Sequence, residues 1–305
     1  MPASLATLKV RTATLEIVAE IGGPENGSPV FLLHGWPDSP RTWLKVAPAL
    51  NAAGYRTVAP YLRGSAPTTF LSAETPRVGS GVALAQDVID LADYLGWKRF
   101  GLVGHDWGAR TAYTLAALFP ERVTRIAALA LAYQPKGAFE VPPFSQARRF
   151  WYQWFMTLNQ GAEAVRNNPV GFARIQWDTW SPSGWFDDDE FAATAASFVN
   201  PDWAEIALNA YRSRWRSEPS DPRYENLQRR LSEVETLATP TLMLQGSSDF
   251  CDEPASSEGR ERFFTGGYKR LMIDRAGHFL PREAPGAVAK AVLSHLRPES
   301  LSTAR

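Results

Sequence analysis

Polar and apolar residues alternate at the start of the chain, and short apolar runs follow. Residues 7–13 and 14–21 alternate, which predicts two antiparallel strands. Residues 29–33 are wholly apolar, as expected of a strand covered on both faces of a sheet. Further strands are predicted for residues 56–60, 100–103, 125–132, 241–244 and 269–273.

Between these strands, apolar residues recur with the spacing of amphipathic helices. This spacing predicts helices over residues 42–53, 82–95, 107–119 and 285–296. In the second of these helices, Asp87 and Asp90 are expected on the side that faces water. Strands that alternate with helices favour an α/β fold, with a mainly parallel central sheet flanked by helices.

The region from residue 133 to residue 237 interrupts this alternation. It is aromatic and helix-like, and no run in it is typical of a buried strand. We predict a helical cap (lid) over residues 134–237, inserted after the sixth predicted strand, with residues 1–133 and 238–305 as the two parts of the core. Residues 297–305 are expected to form a tail. Seven of the 11 tryptophans fall in the interruption: Trp151, Trp154, Trp177, Trp180, Trp185, Trp203 and Trp215.

Composition narrows the classes of partner. A chain of 305 residues fits one large domain or a core with an inserted lid. Its 32 basic and 32 acidic residues balance, so no basic surface for nucleic acid is expected. The sequence has neither an apolar run of the ~18–20 residues that cross a bilayer nor a visible signal peptide. The single cysteine, Cys251, excludes an intramolecular disulfide and agrees with a cytoplasmic location. The protein is expected to be a monomer or a homodimer.

A motif between a predicted strand and a predicted helix carries the chemistry. Gly104-His105-Asp106-Trp107-Gly108 has the spacing of a nucleophile elbow, in which the central residue occupies a strained turn that leaves no room for larger neighbours. Here the central residue is an aspartate. A serine that attacked a saturated carbon would become a stable ether, whereas a carboxylate becomes an ester that activated water can hydrolyse. The motif therefore predicts an epoxide or an alkyl halide as substrate.

An ester intermediate needs an oxyanion site and a base. The backbone amide of Trp107 is the first expected oxyanion donor, and that of Trp36, in His34-Gly35-Trp36-Pro37, is the second. The second motif could also be only a tight turn under aromatic packing.

Among the four histidines, only His278 lies on the loop after the last predicted strand, where a water-activating base belongs. Asp249, after the preceding strand, is the expected acid that orients it. Asp252 is the competitor for that role, although it better suits a helix cap.

Along the whole chain the sequence resembles the α/β-hydrolase superfamily, and within it the epoxide hydrolases. The resemblance implies no metal and no cofactor. It also implies two tyrosines that hydrogen-bond the epoxide oxygen, and their sequence contexts match Tyr152 and Tyr211. Buried tyrosines are more often core residues with one hydrogen bond. The matching motifs are His34-Gly-Trp-Pro37, Gly104-His-Asp-Trp-Gly-Ala109, Gly246-x-x-Asp249 and Gly277-His-Phe279.

The expected reaction is therefore the opening of an epoxide to a vicinal diol. An opening epoxide leaves as an alkoxide that needs a proton, and a tyrosine, with an ordinary pKa of about 10, can supply it. The aromatic cap favours a small apolar epoxide, with water as the second substrate. Four aromatic residues are expected to bind the apolar part: Trp36, Trp107, Trp154 and Phe279.

Three other functions stay open at this stage. A haloalkane or haloacid dehalogenase would use the same aspartate and histidine. Fluoroacetate dehalogenases hold a substrate carboxylate with arginines beside the nucleophile, where this chain has Trp107; Arg110, on the elbow helix, is expected to be a surface or structural residue. A non-catalytic binding protein would have no need of nucleophile, base and acid together. Esterase activity is least favoured, because attack of an aspartate on an ester would form an anhydride.

Overall fold

The computed structural model describes residues 6–297, and strands within this range form one sheet. The expected tail beyond residue 297 lies outside the described residues. The strands are β1 (Ala6–Arg11), β2 (Leu15–Gly22), β3 (Ser28–Leu33), β4 (Tyr55–Pro60), β5 (Thr69–Phe70), β6 (Phe100–His105), β7 (Val123–Leu129), β8 (Thr241–Gly246) and β9 (Tyr268–Ile273).

The sheet is parallel except at one end. Its order is β1-β2-β4-β3-β6-β7-β8-β9, and the two-residue β5 pairs with β2. Strand β2 runs antiparallel to β1, β4 and β5, while every pair from β4 onward along that order is parallel. The predicted mainly parallel sheet is thus confirmed.

Helices cover both faces of the sheet. Alternate residues of β3 show this, since Phe31 and Leu33 belong to one buried apolar cluster and Val30 and Leu32 to another. The helices outside the β7–β8 connection are α1 (Ala47–Ala52), α2 (Gly81–Tyr94), α3 (Trp107–Leu118), α11 (Leu280–Glu283) and α12 (Pro285–Leu296).

The chain between β7 and β8 is helical, as the interruption in the sequence pattern predicts. A further apolar cluster joins these helices to the aromatic residues beyond β3 and β6. We call α4 to α10 the inserted helices: α4 (Phe144–Arg149), α5 (Trp151–Thr157), α6 (Asn159–Asn167), α7 (Pro169–Thr179), α8 (Asp188–Ala195), α9 (Pro201–Arg212) and α10 (Glu225–Ser232).

Two predictions of local structure are wrong. The helix expected over residues 42–53 is broken into a 3-10 turn at Pro40–Trp43 and the short α1, because Pro48 lacks the amide that a continuous helix would need and suits a first turn instead. Asp87 does not face water: it is 6% exposed, and Arg63 donates to both its oxygens at 2.6 and 2.7 Å. A buried carboxylate is tolerated there because it is paired.

Candidate active site

The predicted catalytic residues meet at one edge of the sheet. Asp106 directly follows β6, and Trp36 lies three residues beyond the end of β3. Asp249 and His278 lie on the loops after β8 and β9. Because these four strands are parallel, their carboxyl ends share an edge, which is where ligands bind in open α/β sheets.

Asp106 occupies a strained turn between β6 and α3. Its φ of 51° lies in a region that non-glycine residues rarely adopt. The glycines on either side make this turn possible. A Cβ on Gly104 would lie 2.2 Å from the carbonyl oxygen of Gly108, and one on Gly108 would lie 2.0 Å from that of Leu33. The backbone therefore places the Asp106 carboxylate above the edge of the sheet.

His278 lies between two carboxylates. Its Nδ1 is 3.0 Å from Asp249 Oδ2, within hydrogen-bond distance, and its Nε2 is 3.7 Å from Asp106 Oδ2. All three side chains are almost completely buried. A histidine oriented by one acid and directed at a second is the arrangement of a nucleophile, base and acid triad.

Hydrogen bonds from its own loop hold Asp249 in place. Its Oδ1 accepts the backbone amides of Cys251 and Asp252 at 2.8 and 2.9 Å, and its Oδ2 accepts Gln245 Nε2 at 3.0 Å. The competitor Asp252 contributes its amide to this arrangement. Burial beside Asp249 raises the pKa of Asp252 to about 7.

The charges of the triad depend on one another. Burial acts to lower the pKa of His278, but Asp249 and Asp106 raise it well above its usual value. Burial also acts to raise the pKa of Asp106, yet His278 and the Trp36 amide outweigh that effect and leave the pKa lowered. The two carboxylates therefore favour the protonated imidazole in the free protein.

Of the two predicted oxyanion donors, the Trp36 amide contacts the carboxylate. The Trp36 amide donates to Asp106 Oδ1 at 2.8 Å, and Trp107 is the first residue of α3. Close approach of the Trp36 loop depends on Gly35, since a Cβ there would lie 2.5 Å from the Cβ of Asp106. The His34-Gly-Trp-Pro motif is thus both a packed turn and a donor to the carboxylate.

Two tyrosines reach this edge from the inserted helices; we call Tyr152 and Tyr211 the tyrosine pair. Their rings meet edge to face at 5.3 Å, and both are buried. Trp107 Nε1 donates to the Tyr211 hydroxyl at 3.0 Å, and Gln153 Nε2 donates to the Tyr152 hydroxyl at 3.1 Å. Burial raises the pKa of both hydroxyls well above 10, so both keep their protons at neutral pH.

The aromatic residues predicted to bind substrate do not share one position. The Trp36 ring packs against both members of the tyrosine pair, at 5.9 and 5.1 Å. Phe279 is fully buried, with its ring 4.4 Å from Trp185 and 5.5 Å from His278, so it supports the histidine. Trp154 lies elsewhere, and the prediction for it is corrected: its ring packs on Trp215 and its Nε1 donates to the Ala147 carbonyl oxygen.

Two cavities adjoin at this edge. The smaller, of about 60 Å³, contains Asp106 and the tyrosine pair, together with Arg110 and Arg214. The larger, of about 540 Å³, is lined by Trp107 and by apolar residues of α3 and of the inserted helices. Arg110 and Phe139 line both cavities, so these two side chains lie where the cavities meet.

Sequence reasoning missed the residues that anchor the histidine loop. Glu283 accepts the amides of Gly277 and Phe279 at 2.6 and 2.8 Å and the Ser181 hydroxyl at 2.6 Å. Ser181 Oγ in turn accepts the His278 amide at 2.8 Å. On the other side, His105 Nε2 lies 2.8 Å from the His278 carbonyl oxygen. Glu283 in the first turn after the Gly-His-Phe motif was a usable signal, while nothing near Ser181 in the sequence points to its partner.

Searches for other kinds of site give two results. Among residues 6–297, no group of three or more His, Cys, Asp or Glu side chains has the arrangement of a metal site. No helix in that range combines the length and apolarity needed to cross a membrane.

Comparison with known proteins shows the family of this chain. Epoxide hydrolase A of Mycobacterium tuberculosis is 27% identical, over 92% of this chain and 93% of its own. The crystal structure of a proposed epoxide hydrolase from Klebsiella pneumoniae is 36% identical and superposes with a TM-score of 0.89, over 95% of this chain and 96% of that one. A fluoroacetate dehalogenase from Burkholderia sp. is 32% identical over 64% of this chain and 59% of its own. Residues 28–285 match the family model of the α/β hydrolase fold, and the chain belongs to that family.

Proposed function

We propose that this protein is an epoxide hydrolase that forms vicinal diols through a covalent ester on Asp106. The observation that carries the proposal is the position of the Asp106 carboxylate. It lies at a strained elbow, accepts the Trp36 amide at 2.8 Å and faces His278 Nε2 at 3.7 Å. The full-length similarity to epoxide hydrolases supports the same reaction.

In the first step, one oxygen of the Asp106 carboxylate attacks a ring carbon of the epoxide. The carbon–oxygen bond of the ring breaks, and its electron pair stays on the epoxide oxygen. A hydroxyl of the tyrosine pair gives that oxygen a proton, and solvent later restores the proton. Both tyrosines line the cavity that contains Asp106, and both hydroxyls keep their protons at neutral pH, as this role requires.

In the second step, water attacks the ester carbonyl as His278 takes one of its protons. The Trp36 and Trp107 amides stabilise the oxyanion of the tetrahedral intermediate. When that intermediate collapses, the diol leaves with a proton from His278. The second proton of the attacking water passes to solvent, and the Asp106 carboxylate is restored. Asp249 keeps Nδ1 protonated, so that Nε2 is the nitrogen that exchanges protons.

Formation of the ester prepares His278 for this second step. In the free protein two carboxylates raise the pKa of His278. Esterification removes the charge of Asp106, while Asp249 and the burial of the ring remain. The pKa of His278 therefore falls in the intermediate, which favours the neutral imidazole that the second step needs.

We also infer that residues 134–237 form the cap and that residues 1–133 and 238–305 form the core. The support is that the inserted helices all lie between β7 and β8. Tyr152 and Tyr211 reach Asp106 from these helices, and Ser181 contacts the histidine loop.

The second candidate is a dehalogenase with the same nucleophile, because the matching Burkholderia sp. relative is a fluoroacetate dehalogenase. The tyrosine pair favours the epoxide, since a halide leaves as a stable anion and needs no proton.

Replacement of the base tests the proposal. In His278→Gln, an aryl epoxide should add to Asp106 and remain there, so the intact mass should rise by the whole mass of the epoxide. An alkyl halide would add only its alkyl group, so the mass identifies the substrate class. His295→Gln, which changes a half-buried histidine of α12, should turn over without accumulating an adduct. Normal diol formation by His278→Gln, or an adduct that persists after Asp106→Asn is added, would refute the scheme.

A further inference from the structure

Two arginines line the cavity that contains Asp106. Arg110 lies one turn into the elbow helix, where its amide donates to the Asp106 carbonyl oxygen at 3.1 Å. Arg214 lies just beyond α9, which carries Tyr211. Both side chains are partly buried and line the small cavity with the tyrosine pair. Arg110, for which the sequence allowed a surface or structural role, therefore lines this cavity.

Neither arginine has a carboxylate partner within 4 Å among residues 6–297, although other buried arginines of this chain do. Arg63 pairs with Asp87, and Arg282 with Asp38, in each case within hydrogen-bond distance. By contrast, the Nε atoms of Arg110 and Arg214 are buried without a hydrogen-bond partner in the described part of the chain. Partly buried cations without a paired carboxylate are costly, which distinguishes this pair from Arg63 and Arg282.

Aromatic contacts hold both guanidinium groups in place. The Phe139 ring centroid lies 4.6 Å from Arg110 Cζ and 4.3 Å from Arg214 Cζ. Arg214 also lies 4.3 Å from the Tyr211 ring centroid, and one of its nitrogens donates to Gln153 Oε1 at 3.2 Å. A guanidinium that stacks on an aromatic ring still has N–H groups that can donate to a ligand. Two guanidinium groups held in fixed positions suit a planar anion such as a carboxylate.

The other charged groups that line this cavity do not neutralise the arginines. Glu140 is exposed, so water screens it. Asp252 has a pKa of about 7 and carries only part of a charge at neutral pH. Arg260 adds a further positive charge and donates to the Ser256 carbonyl oxygen.

Asp106 is thus the only strong counter-charge in the cavity, among the described residues. Burial and the neighbouring Arg110 lower the pKa of Arg214 to about 10, which leaves it charged at pH 7. The ester step removes the charge of Asp106, and the arginines would then face a neutral cavity. A negative group on the substrate would compensate them throughout the reaction.

We propose that Arg110 and Arg214 bind a carboxylate on the epoxide substrate, so that the preferred substrates are short epoxy acids rather than wholly apolar epoxides. This proposal rests on the proposed function for the identity of the reacting group. The arginines act by binding and orienting, and the chemistry at Asp106 is unchanged.

A matched pair of substrates tests it in the unmodified protein. An epoxide that carries a carboxylate is compared with its primary amide, which has the same shape and no charge. Hydrogen bonds to charged groups contribute enough that kcat/KM for the acid should exceed that for the amide by about 10- to 100-fold. Because this comparison needs no variant, it does not depend on whether a substituted protein folds.

Variants then assign the effect to the two residues. Arg110→Met and Arg214→Met should each lower the ratio of kcat/KM for the acid to kcat/KM for the amide by about 10-fold or more. Arg216→Met is the control, since Arg216 is exposed and donates to Glu218 and to a backbone carbonyl outside the cavity. It should leave both substrates unchanged.

The outcomes separate this proposal from the proposed function. Equal turnover of acid and amide by the unmodified protein, with equal losses in the arginine variants, would overturn the carboxylate site and leave epoxide hydrolysis standing. If no epoxide reacts but a 2-halo acid releases halide in an arginine-dependent way, the carboxylate site stands and the epoxide hydrolase does not. Inhibition by phenylacetate but not by phenylacetamide, lost in the arginine variants, would support the site independently of the reaction.

Discussion

Asp249→Asn should slow hydrolysis of the ester more than its formation. Asparagine keeps the shape of the side chain but removes its charge and replaces one oxygen by an amide group. Both oxygens of Asp249 are acceptors. Oδ1 accepts two backbone amides at 2.8 and 2.9 Å, while Oδ2 lies 3.0 Å from His278 Nδ1 and accepts Gln245 Nε2. Wherever the new NH2 group points, it meets a donor.

The size of the effect follows from these contacts. A lost hydrogen bond to a charged group costs about 1.5–3 kcal/mol, which corresponds to about 10- to 100-fold in rate. If the NH2 group faces Nδ1, the imidazole must accept there and carry its proton on Nε2, where it cannot act as the base. The same change in Ser-His-Asp triads lowers the rate by about 10⁴-fold. Hydrolysis of the ester should therefore slow by a factor between about 10 and about 10⁴.

Rapid-quench mass spectrometry under single-turnover conditions measures both steps. The ester on Asp106 should form within a few-fold of the normal rate and then accumulate. Asp274→Asn is the matched control, because Asp274 follows β9 and its side chain is 84% exposed. Slow formation with no accumulated ester would refute the assignment, since it would mean that Asp249 governs the first step or the fold.

Three further outcomes are expected. Replacement of both members of the tyrosine pair by phenylalanine should lower kcat/KM for epoxides by about 10²–10⁴-fold and for alkyl halides far less, since only the alkoxide needs a proton. Diol release and halide release, measured on one preparation, test this. Equal losses for the two substrate classes would favour the dehalogenase. Asp106→Asn should lower the pKa of His278, because it removes a negative charge 3.7 Å from Nε2 while burial still opposes the charged form; an NMR titration that gave the same pKa as the unmodified protein would contradict this. Gly108→Ala should lower the free energy of unfolding in urea by about 1–3 kcal/mol or more, because its Cβ would meet a backbone oxygen at 2.0 Å. Gly286→Ala is the control: its Cβ would meet no atom of the described residues within 4 Å, so stability should change by no more than about 1 kcal/mol. Similar losses in the two variants would contradict the steric account.

Features that depend on neighbouring residues could be predicted from the sequence. The strand at Phe100–His105, the turn at Asp106 and the helix that begins at Trp107 all follow from a local pattern of apolar residues and two glycines. The order of strands along the chain then places the loops of Asp249 and His278 at the same sheet edge. Local pattern and fold class together were enough to bring the triad together.

Features that depend on distant partners could not be predicted. Asp87 has the helical position of a surface residue and is buried only because Arg63, 24 residues earlier, pairs with it. Ser181 and Glu283 are 102 residues apart in sequence. The resemblance to epoxide hydrolases pointed to Tyr152, and the aromatic cap pointed to Trp154. Only their packing shows that Tyr152 lines the cavity while Trp154 packs on Trp215.

The constrained position of Asp106 determines what can change during a catalytic cycle. Its φ of 51° and the close contacts of Gly35, Gly104 and Gly108 fix the backbone at Asp106, so in the proposed mechanism the nucleophile reacts from a constrained turn. What does change is its charge. That one charge raises the pKa of His278 and also partly offsets the charge of Arg214. In the proposed mechanism, loss of this charge on forming the ester releases the base and, at the same moment, leaves the arginines dependent on a negative group of the substrate. A substrate that supplies such a group would be held most firmly in the intermediate, at the stage when hydrolysis requires its ester to remain beside His278.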